Sequence, residues 1–256
     1  MSKHISYSSL KTWNECPFKY KLVYVDGLGK YTGSEYTAFG TALHEACEKK
    51  LLNNSEDEVK IFTESFEDEI KKLTSQKTPD EKLITEMREQ GKTLAKLVLP
   101  AVLKQFGNFT VLAAEEDIYL KIADFADWNF KGFIDLIIKT EDGKIHILDW
   151  KSCAWGWDAK KKSDAITTYQ LTLYKHFYCL KHNIETSMVE THFALLKRTA
   201  KEDNVEIFRV TSGDKKTENA LNLMKKALYS IDKSFFPKNR LSCKNCEFNN
   251  TKECPK

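Results

Sequence analysis

Two short apolar runs, each broken by one carboxylate, constrain this chain more than any other feature. The first is Gly132-Phe133-Ile134-Asp135-Leu136-Ile137-Ile138 and the second is Ile145-His146-Ile147-Leu148-Asp149-Trp150-Lys151. Runs of this length and composition read as strands. Between them, Glu141-Asp142-Gly143 suits a three-residue hairpin loop with glycine in the left-handed position. With Asp142 at its centre, Asp135 lies directly across from Asp149, and Lys151 across from Phe133. Alternation then puts Asp149 and Lys151 on one face, two residues apart. Charges inside apolar strands are costly unless they are paired or bound to a metal. Two adjacent carboxylates repel, and a divalent cation held by oxygens, Mg²⁺ or Mn²⁺, resolves that repulsion. The plainer alternative is an edge hairpin carrying a surface ion pair. Acid-x-Lys triplets are common in this chain, at Glu48/Lys50, Glu58/Lys60, Glu69/Lys71, Asp80/Lys82 and Asp142/Lys144.

The pattern around the hairpin predicts an α/β fold. Residues 8–106 read as mostly helical, with Phe39, Leu43, Ala46 and Lys50 at helical spacing and a Glu- and Lys-rich stretch over 54–90. Strands are predicted over 111–122, 130–138 and 145–150, a helix over 165–182, strands over 188–196 and 205–210, and a last helix over 217–234. This order implies a mixed central sheet flanked by helices. We expect one domain over 1–256: about 1–108 mostly helical, about 109–212 the sheet core with the catalytic candidates, and about 213–256 a helix and a cysteine-rich tail.

Composition excludes little but directs the search. With 40 basic and 37 acidic residues the net charge is only +3, so no global polybasic surface argues for a partner. No apolar run is long enough to span a membrane, and residues 1–10 lack a signal-peptide core, so the expected compartment is the cytoplasm. There, seven cysteines, an odd number, point to metal ligands or packing rather than disulfides. The segment 151–162 holds Trp155, Trp157 and Lys160-Lys161-Lys162, which suits single-stranded nucleic acid through stacking and phosphate neutralisation. A buried tryptophan pair is the alternative.

Five motifs, in order, resemble the RecB-type branch of the PD-(D/E)XK nucleases. That branch includes the nuclease domains of RecB and AddB, the CRISPR-adaptation nucleases and small phage exonucleases. Gly132 to Asp135 matches G-x-x-D, Asp149 to Lys151 matches D-x-K, Gln170 to Tyr174 matches Q-x-x-x-Y, and Gly40 to His44 matches G-x-x-x-H. Ser8-Ser9-Leu10 through Cys16-Pro17 resembles the S-x-L…C-P opening. The resemblance implies a restriction-endonuclease-like core and phosphodiester hydrolysis in DNA. It implies a metal held by Asp135, Asp149 and His44, with the backbone carbonyl of Trp150 as a further ligand, and Lys151 orienting water and countering charge. Gln170 and Tyr174, four apart on one helix face, would meet DNA and the active site; by pattern alone Tyr174 is core and Gln170 a boundary residue. Glu115 resembles the acid that precedes the central strands, with Glu116 its rival. The implied activity is exonucleolytic, on single-stranded or end-bearing DNA, in phage recombination, DNA processing or CRISPR adaptation, with a protein partner in such a pathway. A structure-specific endonuclease and a non-catalytic DNA-binding protein on the same fold are the alternatives.

Three cysteines sit in the tail, Cys243-x-x-Cys246 and Cys254, so a four-ligand site needs another, and Cys16 in the Cys-Pro opening is the candidate. This split resembles the iron–sulfur staple of AddB and the CRISPR-adaptation nucleases, and implies a 4Fe-4S cluster. Four cysteines also suit zinc, the alternative. Cys47, Cys153 and Cys179 read as packing residues.

Overall fold

A computed structural model describes residues 3–29, 33–74 and 78–255. The chain divides into two compact units. Among the described residues, the larger comprises 33–117 and 133–212, and the smaller 3–29, 118–132 and 213–255.

The larger unit is a sheet between helical layers. Its strands are the first part of β2 (Phe109–Ile122), the second part of β3 (Phe125–Thr140), then β4 (Ile145–Cys153), β5 (Val189–Lys197) and β6 (Val205–Val210). β3 and β4 are antiparallel, β4 and β5 parallel, and β5 and β6 antiparallel, so the sheet is mixed. The hairpin register is the predicted one: Leu136 pairs with Leu148 and Ile138 with His146. Its loop closes through Gly143 N–H to Thr140 C=O at 2.9 Å, with Gly143 at φ 83°.

Alternation along β4 gives the sheet two different faces. Leu148 and Trp150 enter a core with Leu136, Ile138, Ala194 and Leu196. That core is covered by α3 (Glu35–Leu52), α4 (Glu58–Thr74) and α5 (Glu81–Phe106). The helices start where side chains can cap them. Ser34 and Thr37 form a capping box on α3, and Asp80 accepts from Leu83 N–H on α5. Phe39, Phe62 and Phe66 pack ring against ring, with centroids 5.5–6.2 Å apart. The other face carries Asp149 toward α7 (Ala165–His182), whose ends are set by Asp164, accepting from Thr167 N–H, and by left-handed Asn183.

The smaller unit pairs β1 (Lys3–Ser6) in parallel with the first part of β3, Ile5 against Phe130. It adds α1 (Tyr7–Glu15), α2 (Pro17–Tyr20), a π-helical turn over Lys21–Val25 and α8 (Asp214–Asp232). Asp232 accepts from Trp128 Nε1 at 3.1 Å and pairs with Lys3 at 3.0 Å. A 3₁₀ turn, Arg240–Asn245, leads into the cysteine tail.

The helices and strands of the pattern are therefore present, and the long N-terminal stretch resolves into separate helices. β1 and the short α6 (Ala159–Ser163) had no prediction. No helix among the described residues is long and apolar enough to cross a membrane.

Candidate active site

Five elements of the larger unit contribute. His44 and Glu48 lie one turn apart on α3 and share a face. Gly40 lies a turn earlier, where a Cβ would meet Ser152 Oγ at 3.2 Å, so glycine lets α3 approach the end of β4. On β2, Glu115 has φ 52°, a left-handed conformation that non-glycine residues rarely adopt. Its carboxylate accepts a hydrogen bond from the carboxyl of Glu48. Glu116 turns elsewhere, accepting from Lys181 at 2.7 Å and meeting His182 Nε2 at 3.0 Å.

At the open end of the β3–β4 pair, Asp135 Oδ2 accepts from the Trp150 N–H at 2.7 Å and lies 3.6 Å from His44 Nδ1. One ligand atom from each of His44, Glu48 and Asp135 falls within 4.8 Å of the others. Asp149 is only 1% exposed. Its Oδ1 accepts from Gln170 Nε2 at 2.7 Å, and its Oδ2 is ion-paired with the Lys151 ammonium. Gln170 Nε2 also reaches the Tyr174 hydroxyl at 3.3 Å. Trp150 sends its indole into the core, so only its backbone belongs to the site.

The cluster holds more negative charge than its surroundings can stabilise. Burial pushes Asp135 up to about 6, against the Lys151 ammonium and the Trp150 N–H, with Glu115 adding to the rise. Burial also pushes Asp149 up to about 6; Lys151 opposes this and Asp135 reinforces it. Glu48 is driven far above the ordinary carboxylate range by burial and then by Glu115 and Asp135. Burial lowers His44 to about 4, so its ring is neutral and offers a lone pair. It raises the Tyr174 phenol, which stays protonated. Glu48 Oε1 is buried with no hydrogen-bond partner. A divalent cation fits this donor set: it gives that oxygen a partner and offsets the repulsion among the carboxylates.

The structure thus brings together His44, Glu115, Asp135, Asp149, Trp150, Lys151, Gln170 and Tyr174, and separates Glu115 from Glu116. Glu48 is the residue that sequence reasoning missed. Its signal was the four-residue spacing from His44 on a helix, obscured because Glu48/Lys50 looks like any other acid-x-Lys triplet.

The two tryptophans part company. Trp155 is 74% exposed. Trp157 packs edge-on to Phe193 at 5.1 Å and to Phe208 at 6.2 Å, with Lys161 Nζ 4.6 Å from its centroid. In the smaller unit, Cys16, Cys243, Cys246 and Cys254 line one cavity of about 280 Å³. Cys16 Sγ accepts from Asn239 N–H at 3.3 Å. Cys47 and Cys179 are buried and Cys153 is half-buried.

Comparison with known proteins agrees with the fold and the family. A family model described as the PD-(D/E)XK nuclease superfamily matches residues 4–251. One subunit of the ATP-dependent helicase/deoxyribonuclease of Streptococcus agalactiae serotype Ia is 25% identical over 256 residues, 96% of this chain and 23% of the relative. Its serotype III counterpart is 29% identical over 175 residues, 66% of this chain and 16% of the relative. The chain therefore spans less than a quarter of the length of these relatives. A crystal structure from Eubacterium rectale, described provisionally as an exonuclease, superimposes with a TM-score of 0.65. It is 15% identical and the match covers 99% of this chain and 90% of that one, a likeness of fold.

Proposed function

Because the chain belongs to the PD-(D/E)XK nuclease superfamily, we propose that it is a metal-dependent deoxyribonuclease that degrades DNA from free ends. The observation that carries this reading is the convergence of Asp135, Asp149, Lys151, Glu115, Glu48 and His44 in one unit, with a buried carboxylate oxygen of Glu48 unpartnered. DNA as substrate is supported by the name of the streptococcal relatives, which describes a helicase/deoxyribonuclease. Action from ends follows the likeness of the motif order to the phage exonucleases, which also suggests a place in phage recombination, DNA processing or CRISPR adaptation.

Asp135, Glu48, Glu115 and His44 would hold the ion, joined by Asp149 and the Trp150 carbonyl. When bound, a divalent cation lowers the pKa of water and stabilises charge on the phosphate. The chain's own groups do the rest. The Lys151 ammonium, ion-paired with Asp149, is placed to hold the attacking water and to counter the charge that develops on the phosphate oxygens. The water oxygen bonds to phosphorus and gives up a proton to solvent, while the P–O bond breaks with its electron pair on the leaving oxygen, which takes a proton from solvent to become the product hydroxyl. Gln170 fixes one oxygen of the Asp149 carboxylate and Lys151 pairs with the other, so the two hold its orientation. Neutral Tyr174 offers its hydroxyl as a hydrogen-bond donor to a phosphate.

End-labelled linear DNA and covalently closed circular DNA, incubated with Mg²⁺ or Mn²⁺, test the proposal. The linear substrate should be shortened from its labelled ends and the circle left intact. Asp149→Ala and Lys151→Ala should each abolish cleavage in folded protein. Cleavage of the circle would make the enzyme an endonuclease, and wild-type rates in either variant would remove the assignment of the site.

We further propose that Cys16, Cys243, Cys246 and Cys254 hold a 4Fe-4S cluster. A single zinc ion with Zn–S bonds of about 2.3 Å needs sulfurs about 3.8 Å apart. Among the described residues, no three cysteine sulfurs fall within 4.8 Å of one another, yet all four cysteines line one cavity. That spacing favours the larger group.

A further inference from the structure

β4 carries a second set of metal-ligand side chains on the face away from Asp149. His146 is three residues before Asp149, so alternation puts it on the Leu148 and Trp150 face. In the parallel β4–β5 pair, His146 lies against Glu190 and Leu148 against His192. The ladder thus stacks two imidazoles and a carboxylate at one end of the sheet.

Three atoms of this group define a triangle. His146 Nδ1 and His192 Nε2 are 3.1 Å apart, and Glu190 Oε2 is 3.9 Å from the first and 4.0 Å from the second. The point equidistant from these corners in their plane lies about 2.1 Å from each, which matches Zn–N and Zn–O bonds of about 2.0–2.2 Å. From this geometry we propose that His146, Glu190 and His192 form a transition-metal site of the zinc class, distinct from the nuclease centre.

Two of the three ligands, His146 and Glu190, have the neighbours that a metal-binding imidazole and carboxylate need. His146 Nε2 lies 3.2 Å from Thr140 Oγ1, which can accept its proton and so leave Nδ1 as the ligand. Glu190 Oε1 is held by Arg209 Nη2 at 2.9 Å, leaving Oε2 for the ion. Phe106 packs on both rings, with centroids 4.8 and 5.0 Å away, and fixes their planes. Both histidines are buried, 8% and 3% exposed, which shields the group from bulk water. The two nitrogens face each other at 3.1 Å, so a metal at both would require the His192 proton to be on Nδ1, a buried nitrogen with no hydrogen-bond partner. Three protein ligands leave a position for water or an anion. The trio, Asp142 and Arg209 line a cavity of about 420 Å³ that can admit one.

The test is zinc titration of full-length protein labelled with ¹⁵N-histidine. One equivalent of zinc beyond any taken by thiolates should move the His146 Nδ1 and His192 Nε2 resonances together. Glu190→Gln, which keeps a hydrogen bond for Arg209, should weaken that response at least tenfold and leave Mg²⁺-dependent nuclease activity unchanged. His146→Gln should abolish it. Ring resonances that stay still at saturating zinc, or move equally in wild type and Glu190→Gln, would overturn the proposal. Either result is independent of whether the protein cuts DNA.

Discussion

Glu48 shows how one side chain is defined by its surroundings more than by its neighbours in sequence. Beside Glu115 and Asp135 and shielded from water, its carboxyl is held protonated in the metal-free protein. Glu48→Gln should therefore leave the fold intact while weakening Mn²⁺ binding roughly tenfold or more; calorimetric titration reads this directly, and unchanged affinity would remove Glu48 from the ligand set. Asp135 permits a signed pH prediction. Its folded pKa is about 6 against an ordinary value of 3.8. Its favourable contribution is complete below 3.8 and lost as pH rises through about 6. Metal-free Asp135→Asn should thus melt above metal-free wild type at pH 7, and the gap should close by about pH 4. Thermal melts in a chelator at both pH values check it, and a gap that is constant with pH would mean that Asp135 does not titrate in this range. Asp135, Asp149 and Lys151 were legible because a charge stands out in an apolar strand. Glu48 sits on a helix rich in charge, and only the tertiary fold distinguishes it from its solvated neighbours.

At the scale of elements, turn chemistry made the hairpin readable. A three-residue loop ending in left-handed Gly143 permits one register, and that register, Leu136 against Leu148, brings Asp135 and Asp149 to the same end of the ladder. β1 was not readable, because Lys3-His4-Ile5-Ser6 has one apolar residue and its partner, β3, begins more than a hundred residues later. α6 is five residues without a buried side chain, so periodicity had nothing to register. Helix packing carries a prediction of its own. Gly91 lies in the interior of α5, where glycine costs about 1 kcal/mol relative to alanine, yet a Cβ there would fall 1.9 Å from the Phe62 ring. Phe62 is fully buried against Phe39 and Phe66 and cannot swing aside. Overpacking of about 1–3 kcal/mol should therefore cancel or exceed the gain in helix propensity. Gly91→Ala should be no more stable than wild type in urea unfolding, and Phe62→Leu should convert the same substitution into a stabilising one. Equal effects in both backgrounds would mean that the ring does not set the preference for glycine.

Across the whole molecule, the proposed divalent-ion centre and the proposed cysteine site fall in different units. The proposed divalent-ion ligands belong to the larger unit and the four cysteines to the smaller. The tail from Arg240 to Cys254 consists of a 3₁₀ turn and bends, with Phe248 its one buried apolar side chain. So little apolar burial cannot offset the entropy of ordering it. Bonds from thiolates to a metal group can, because ligand binding to the folded state is itself folding free energy. The sequence supplied the four cysteines, but only the fold shows Cys16 on the same cavity as residues more than two hundred positions later. Protein prepared without oxygen should accordingly be brown and contain iron and acid-labile sulfide. Cys16→Ser should lose the colour as fully as Cys246→Ser, and in both the tail should become the first site of protease cleavage. Mn²⁺ binding should persist, since none of its ligands lies in the smaller unit. Stoichiometric zinc without iron in anaerobic protein would replace the cluster with a zinc site, and colour retained in Cys16→Ser would remove Cys16 from the ligand set.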